Sequence, residues 1–499
     1  MKKLLKNKIQ YLLICAFGLG LTSCLGDLEP VVNDKIIPEN FFKNEDDAKA
    51  AVTSIYAPFS ADWNGSIYAT REVSYLELSN LSSDDTGLTR PDWELIDRFL
   101  WTSTTSQVTS LYTTLLKATS RATLLMDDLK NTPISEKRKN ELIAEVQCAR
   151  AQFMFCLYDL YGSAAVVLDP EILRNPEVDV YLERPSQSDF AGLIEKDLTA
   201  AAALLPVSYA QNDWGRFSKG AALAILQKLY MQEKRWKDAE KTGRELLTLG
   251  YELQSSYESI FSVENEGNNE IIWAGPCLAE GGGGSMWMTC VAPPGYPLRN
   301  NKIQRWYVFI SPWDFYDKYE KGDDRLKSII GEFSYIPEGQ TEPILATRYN
   351  YEHLKYGALP IKYPEDPKQT TEYAGNDVVV YRYADVLLGL AETLNESYGP
   401  TPEAIGLVEQ VRSRAHLANS IPVAAKASKE TFRDFILDER GRELFCEGHR
   451  RRDLIRHGKF IEMAHKQGHE AARDFMVLYP IPQNAIDESK GKVKQNPGY

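Results

Sequence analysis

The chain has 499 residues, of which 43% are hydrophobic and 25% are charged, an ordinary composition for a soluble globular protein of this length. Acidic residues outnumber basic ones by 70 to 57, and the net charge is −13. An acidic balance of this size argues against nucleic acid and anionic lipid as partners, because both would repel a negatively charged surface.

The first 24 residues resemble a bacterial lipoprotein signal. Four lysines precede the apolar run 9–21, which is shorter than the roughly 20 residues that a membrane-spanning helix needs. The sequence Leu-Thr-Ser-Cys at 21–24 matches the pattern in which cleavage leaves the cysteine first and acyl chains attach to its thiol. We therefore predict a signal peptide at 1–23, lipid attachment at Cys24 and one domain at 24–499. An ordinary secretory cleavage with an incidental cysteine is the alternative.

Helical periodicity dominates the rest of the chain. Apolar residues recur on one helical face at 142–161, and 107–129 is a plausible partner for that helix. A second pair of helices spans 218–250, with Ser218 as its expected N-cap. A third pair spans 381–415. Two helices in about 34 residues are typical of a tetratricopeptide hairpin. We therefore predict a mostly α fold, an irregular tetratricopeptide-like scaffold of about four hairpins.

Two long insertions interrupt this scaffold, near residues 60–101 and 273–319. Both are rich in Trp, Tyr, Gly, Pro and Asn and have weak periodicity, while their aromatic content argues against disorder. Loops of this length in a compact protein are usually functional. The last segment, 478–499, is spaced by prolines, and we expect it to run as an extended strap rather than as a helix.

Several sequence motifs follow one another along the helical part. They are ARAQFMFCLYDLYG at 149–162, YRYADVLLGLAETLNE at 381–396, DERGRELFCEGHRRRDLIRHG at 438–458, and YPIPQNAID at 479–487 with QNPGY at 495–499. In this order they resemble the SusD/RagB family of Bacteroidetes surface glycan-binding lipoproteins. The resemblance implies a non-enzymatic, SusD-like domain, lipid-anchored and surface-exposed at the outer membrane. Such a protein would bind oligosaccharide and deliver it to a SusC-type TonB-dependent transporter.

Aromatic and polar residues of the insertions are the candidates for sugar binding. A sugar site combines an exposed flat ring, which stacks on the C–H face of a pyranose, with polar side chains that reach its hydroxyls. Eight residues fit this description: Trp93, Arg90, Asp92, Trp287, Tyr296, Arg299, Asn300 and Trp306. In the family that the motifs resemble, the glycan site lies in loops of these two regions. Packing in the core is the alternative for each tryptophan.

The arginine-rich motif at 438–458 invites interpretation as an anion site. Its charges alternate in sign, and at helical spacing such charges attach a helix to its neighbours through ion pairs. The spacing places Glu447 one turn before Arg451, for example. We therefore interpret six residues as a structural ion-pair network: Glu439, Arg442, Glu443, Glu447, Arg451 and Asp453.

Catalytic and metal-binding motifs are absent from the sequence. There is no Gly-x-Ser-x-Gly elbow, and His465 and His469 have neither the glutamate nor the third ligand of a zinc motif. We therefore expect no catalytic residue, metal or cofactor. The sequence contains two acidic pairs, Asp84-Asp85 and Asp323-Asp324, and a glycoside hydrolase needs a pair of carboxylates. A surface glycoside hydrolase is therefore one alternative. We expect Asp84-Asp85 to cap a turn or helix, and Asp323-Asp324 to pair with Arg325. A helical-repeat scaffold without a sugar site is the other alternative.

Overall fold

The computed structural model describes residues 42–59, 66–68, 70, 74–90, 93–175, 177–178, 180–280 and 283–499. The predicted signal peptide, Cys24 and Asp92 lie outside these residues, so the signal peptide, the lipid attachment and the role of Asp92 in sugar binding stay predictions. The domain assignment likewise stays a prediction. Within the residues that the structure describes, no helix combines the length and the apolar character needed to cross a bilayer.

Helices make up most of the regular structure in the described residues. Numbered in chain order, they are α1 (Glu45–Ser54), α2 (Tyr75–Leu81), α3 (Glu94–Asp97), α4 (Ser106–Lys130), α5 (Glu136–Tyr161), α6 (Pro170–Arg174), α7 (Gln187–Leu204), α8 (Lys219–Gln232), α9 (Trp236–Leu246), α10 (Trp287–Val291), α11 (Trp313–Tyr316), α12 (Tyr383–Tyr398), α13 (Pro402–Arg414), α14 (Lys429–Leu444), α15 (Arg450–Arg456), α16 (Phe460–Lys466) and α17 (Gln483–Glu488). The strands are β1 (Gly87–Leu88), β2 (Ile271–Gly275), β3 (Phe309–Pro312), β4 (Phe333–Tyr335), β5 (Ile344–Ala346), β6 (Gly357–Ala358) and β7 (Val378–Arg382).

The long helices stack on one another in chain order. α4 packs against α5, α5 against α7, α7 against α8, and α8 against α9. The stack continues from α9 to α12, which also contacts α13 and α14. Three neighbouring pairs with short connections, α4/α5, α8/α9 and α12/α13, are the three hairpins located in the sequence, where about four were predicted. The mostly α, tetratricopeptide-like scaffold is therefore confirmed.

Local sequence sets the helix boundaries. The hydroxyl of Ser218 accepts a hydrogen bond from the backbone N–H of Ala221 at 3.4 Å, which confirms the predicted N-cap of α8. α5 is followed by Gly162 in the left-handed region, at a φ of 76°, a common way to end a helix. α9 ends at Leu246 rather than continuing to Gly250.

Short strands connect the two insertions to each other and to the scaffold. β2 pairs antiparallel with β7, and every residue of both strands is buried, which suits their Val and Ile content. β7 then leads directly into α12. β3 lies between β1 and β6, with Leu88 opposite Phe309 and Ser311 opposite Ala358. One small sheet therefore joins both insertions.

The buried hydrophobic residues form three clusters. The largest extends from α1 through the first half of the scaffold to the C-terminal segment, and a second lies among α12, α13 and α14. The third is small and includes Ile310, Phe333 and Leu354. It fixes the β4–β5 hairpin against the second insertion.

The C-terminal segment 478–499 is an anchored strap, but it is not extended throughout. α17 forms within it, directly after Pro482, which corrects the prediction of an extended run; proline is well tolerated at a helix start. The side-chain amide of Asn496 donates to the carbonyl of Tyr161 at 3.0 Å. The hydroxyl of Tyr499 accepts a hydrogen bond from the indole N–H of Trp101 at 2.7 Å.

Candidate functional site

The two insertions lie against each other beside the β1–β3 pair. The backbone N–H of Thr89 donates to the carbonyl of Val308 at 2.9 Å, and the guanidinium of Arg90 donates to the carbonyl of Trp306 at 2.6 Å. Trp93 follows on the same loop, and both its side chain and that of Trp306 are partly exposed. The structure thus brings Arg90 and Trp306, from distant parts of the sequence, into contact.

A cavity of about 810 Å³ is lined by the second insertion together with Glu258, Glu264, Lys327 and residues of segment 361–370, and we call it the groove. Its volume is within the usual range for small-molecule sites. Three candidates from the sequence line it: Tyr296, Arg299 and Asn300. Its opposite wall comes from segment 361–370, which lies outside both insertions. That wall includes Ile361, Pro364, Glu365, Pro367, Gln369 and Thr370.

Tyr296 supplies an aromatic face to the groove. Its ring is partly exposed, and Phe333 of β4 packs against it at a centroid distance of 5.0 Å and an angle of 71°. Burial raises the pKa of Tyr296 to about 12, so its hydroxyl stays protonated at neutral pH. A supported ring with a neutral hydroxyl can stack on a sugar and also hydrogen-bond to it.

Glu365 holds the loop that carries the polar candidates. Its carboxylate accepts the backbone N–H groups of Arg299, at 3.1 Å, and Asn300, at 2.9 Å. The side-chain amide of Asn300 donates to the carbonyl of Gln369 at 2.7 Å, so Asn300 positions the loop. The guanidinium of Arg299, in contrast, is exposed and has no ion-pair partner among the described residues.

Gln369 is a groove residue that the sequence reasoning missed. It is only 1% exposed, and its amide N–H₂ donates to the hydroxyl of Thr289 at 3.2 Å and to the carbonyl of Thr371 at 3.1 Å. Its side-chain oxygen has no hydrogen-bond partner within the described residues. A buried acceptor without a donor costs about 1–3 kcal/mol, so this enclosed oxygen is an unfavourable feature of the groove wall. No sequence motif marks this residue.

Trp306 is connected to the groove through Thr289. Its backbone N–H donates to the carbonyl of Thr289 at 2.8 Å, while the hydroxyl of the same threonine accepts from Gln369. The indole N–H of Trp306 donates to the side-chain oxygen of Gln304 at 2.8 Å. Trp306 therefore lies next to the groove wall, with its ring oriented by a hydrogen bond.

Trp287 is a core residue, which corrects the expectation that it presents a ring to sugar. It begins α10, is 1% exposed, and donates its indole N–H to the carbonyl of Pro360 at 2.8 Å. Phe309 stacks near it at a centroid distance of 5.9 Å. A ring enclosed in this way has no face open to a ligand, so we remove it from the candidate site.

The charges of the arginine-rich motif are buried in ion pairs, many of which reach other elements. Glu443 contacts Arg382 at 2.5 Å, Arg325 at 3.2 Å, and Arg414. Burial alone would raise the pKa of Glu443, but these three guanidinium groups lower it to about 2. Glu439 pairs with Arg442 at 2.7 Å within α14.

The helical pairing of Glu447 with Arg451 is not found. α14 ends at Leu444 and the chain turns at Cys446, whose φ is 59°, so the two residues do not share a helix. Glu447 instead pairs with Lys362 at 2.5 Å. Arg451 donates to the carbonyl of Asp159 at 3.2 Å.

Asp453, the last member of the predicted network, lies in α15. Its carboxylate pairs with Arg440 at 2.7 Å and with Arg456 at 2.8 Å. Arg440 belongs to α14, so this pair joins the two helices of the motif.

The acidic pairs are also occupied by structural contacts. Asp84 pairs with Arg450 at 2.6 Å and with Lys318 at 2.7 Å, which corrects the expectation of a cap for this residue. Asp85 does cap a turn, because its carboxylate accepts the backbone N–H of Cys446 at 3.0 Å. Asp323 pairs with Arg325 at 2.8 Å, as predicted. Within the described residues, no group of histidine, cysteine and acidic side chains is arranged to hold a metal ion.

Two protein-family models match this chain. Residues 305–499 match the SusD family, and residues 50–231 match a model described as starch-binding and associating with the outer membrane. The chain belongs to the SusD/RagB family. A SusD-like protein of Formosa agariphila is 26% identical to this SusD-family protein, over 95% of this chain and 96% of its own length.

Further similarities agree with this assignment. The starch-binding protein SusD of Bacteroides thetaiotaomicron is 22% identical over 71% of this chain and 72% of its own length. Among solved structures, surface glycan-binding protein A from Bacteroides thetaiotaomicron, in complex with laminarihexaose, matches with a TM-score of 0.73 and 20% identity. That match covers 91% of this chain and 99% of the other. This SusD-family protein therefore has the SusD fold.

Proposed function

We propose that this SusD-family protein binds an oligosaccharide or polysaccharide in the groove and delivers it to a SusC-type TonB-dependent transporter in the outer membrane. One observation carries the proposal: a stacking face, a cation and an acceptor line the same cavity. They are the ring of Tyr296, the guanidinium of Arg299 and the partly exposed carboxylate of Glu365. An aromatic ring can stack on the C–H face of a pyranose, while the guanidinium can donate to its hydroxyls and the acceptor can receive hydrogen bonds from them.

Trp306, Trp93 and Arg90 extend the proposed site along its rim. They come from the two insertions that meet beside the groove, and the two tryptophan rings are partly exposed. Such a site binds each sugar weakly, because a few stacked rings and hydrogen bonds leave little free energy after ligand and side chains are ordered. A long chain that contacts groove and rim together would bind more tightly.

Starch and laminarin are the first ligands to test, since one matching family model is described as starch-binding and one similar structure contains laminarihexaose. Soluble protein without Cys24 would be run through native gels that contain either polysaccharide, and bound oligosaccharide would be titrated by calorimetry. Tyr296→Ala should weaken binding about tenfold. Stacking on this ring removes on the order of 60 Å² of apolar surface from water, about 1.5 kcal/mol.

Tyr398→Ala is the matched control. Tyr398 lies near the end of α12, is 61% exposed, and does not line the groove. Trp306→Ala and Arg299→Ala should also weaken binding, with unchanged circular dichroism. If these variants retained full affinity for a glycan that the parent protein binds, the proposed site would be wrong.

The same experiments separate binding from catalysis. A binding protein releases no reducing sugar from starch or laminarin, however long the incubation. Accumulation of reducing ends that depends on a groove carboxylate such as Glu365 would favour the glycoside hydrolase alternative instead.

The lipid anchor and the transporter partnership need experiments in cells. Cys24→Ala should abolish incorporation of labelled palmitate and release the protein from the outer-membrane fraction. Affinity-tagged protein purified from gently solubilised outer membranes should bring with it a TonB-dependent transporter. Recovery of the parent protein in the periplasm, without label, would contradict the proposed surface location.

A further inference from the structure

A second cavity, of about 380 Å³, lies in the helical scaffold among α9, α12, α14 and α15, and we call it the scaffold cavity. It shares no lining residue with the groove. Its volume is at the lower end of the range for small-molecule sites, roughly 300–1,000 Å³. Trp236, at the start of α9, contributes a partly exposed ring, and Ile455 adds a second apolar surface.

Two bidentate ion pairs make the polar walls of the scaffold cavity rigid. Arg456 donates to both carboxylate oxygens of Glu392, at 2.6 and 2.7 Å. Arg433 donates to both oxygens of Glu396, the longer bond being 2.7 Å. Each carboxylate charge is therefore offset by a guanidinium held in a fixed geometry.

Two polar groups of this cavity are left without a matching partner. The side chain of His457 is 2% exposed; its Nε2 lies 3.2 Å from Glu392, and neither ring nitrogen has a hydrogen-bond partner among the described residues. Lys234 is exposed, and its ammonium makes no ion pair within the described part of the chain. It lies in the turn between α8 and α9.

These groups define the chemistry of a ligand. A hydroxyl group can pair with His457 Nδ1 in either protonation state of the ring, because a hydroxyl both donates and accepts. Lys234 is the lining cation that the two ion pairs leave unmatched, so it favours a carboxylate. The Trp236 ring favours the C–H face of a pyranose.

From this combination we infer that the scaffold cavity binds a hexuronate, a sugar ring that carries both hydroxyls and a carboxylate. The ring lies on Trp236, a hydroxyl meets His457 and the carboxylate meets Lys234. This site is separate from the groove, and the inference does not depend on the function proposed for the groove.

Saturation-transfer NMR with the mature chain tests the inference, using sodium D-glucuronate as the probe. D-glucose serves as the neutral ring, and acetate as a carboxylate without a ring. Glucuronate should bind. Glucose should bind at least about tenfold more weakly because it has no carboxylate for Lys234, and acetate at least about tenfold more weakly because it has no ring to stack on Trp236. Lys234→Ala should weaken glucuronate binding about tenfold, and Trp236→Ala at least as much.

Two control variants locate the binding. Lys237→Ala removes a neighbouring exposed lysine of α9 that does not line the cavity, and Tyr296→Ala removes the ring of the groove. Both should retain the affinity for glucuronate. The inference is overturned if glucuronate does not bind, if glucose or acetate binds equally well, or if binding is lost in Tyr296→Ala but kept in Lys234→Ala.

Discussion

Replacing Glu443 by glutamine tests how much the buried charges contribute to stability. Glu443 is fully buried, and the guanidinium groups of Arg325, Arg382 and Arg414 surround its carboxylate. Glutamine keeps the shape of the side chain but removes its negative charge. The positive charges of the three arginines would then be less completely neutralised. Because water does not reach them, this loss destabilises the folded state strongly.

The pKa of Glu443 gives the size of the expected loss. It lies at about 2, against an ordinary value of 4.5. Since a tenfold change in proton affinity corresponds to about 1.4 kcal/mol, the charged carboxylate stabilises the folded state by about 3 kcal/mol relative to the protonated one. Breaking a buried ion pair typically costs about 3–5 kcal/mol, so both estimates agree. We expect Glu443→Gln to lower the free energy of unfolding by about 3 kcal/mol at pH 7.

Urea denaturation followed by circular dichroism measures this difference. Because the folded pKa is depressed, the contribution of Glu443 is fully present above about pH 4.5 and disappears as the pH falls through about 2. The difference in the free energy of unfolding between parent and variant should therefore decrease as the pH falls from about 4.5 to about 2. Glu462→Gln is the matched control, since Glu462 is 59% exposed and, among the described residues, forms its ion pair with Lys466 at the surface. If Glu443→Gln and Glu462→Gln lowered the free energy of unfolding equally at pH 7, the buried carboxylate would not have the stabilising role that we assign to it.

Three further predictions follow from individual contacts. Trp287→Ala should lower the free energy of unfolding by about 3–5 kcal/mol, measured in urea, because it empties a large volume in the core; a normal unfolding curve with lost glycan binding would contradict the core assignment. Glu365→Ala should free the groove loop and weaken glycan binding about fivefold to tenfold by calorimetry, and an unchanged affinity would contradict its positioning role. Gly498→Ala should lower the free energy of unfolding by about 1–3 kcal/mol, since Gly498 has a φ of 97° and a Cβ would lie 2.3 Å from Phe475; an unchanged thermal midpoint would contradict this.

The helical scaffold could be predicted because its signals are local and repeated. An apolar face sustained over 142–161, or a serine such as Ser218 before a helix, depends on neighbours within a few positions. α17 was missed because prolines were taken to exclude a helix, although Pro482 lies just before its first residue. The strands β1 and β6 were missed because two residues are too short for any alternation to be visible. The five-residue strands β2 and β7 are buried throughout, so they do not alternate between apolar and polar residues either.

The candidate site was harder to predict, because it depends on contacts between distant segments. Trp287 and Trp306 belong to the same insertion, and its composition cannot separate them. Only the fold places the carbonyl of Pro360 against the indole of Trp287 and closes the core around that ring. Gln369 could not be found from the sequence either. Its side-chain N–H₂ group donates to Thr289 and Thr371, and only the fold shows that its oxygen is left without a donor among the described residues.

The arginine-rich motif contacts the segment that forms one wall of the groove. Its buried ion pairs can therefore affect the proposed glycan binding even though they do not touch the ligand themselves. Lys362 lies within the segment that forms the groove wall, and its buried ammonium contacts Glu447 at 2.5 Å and the carbonyl of Phe445 at 2.7 Å. Its neighbour Ile361 lines the groove directly, and Glu365 of the same segment holds the opposite loop. The turn after α14 therefore fixes the position of the second wall. The network would act on the proposed glycan site by holding its backbone in place, because buried ion pairs with several partners tolerate little displacement.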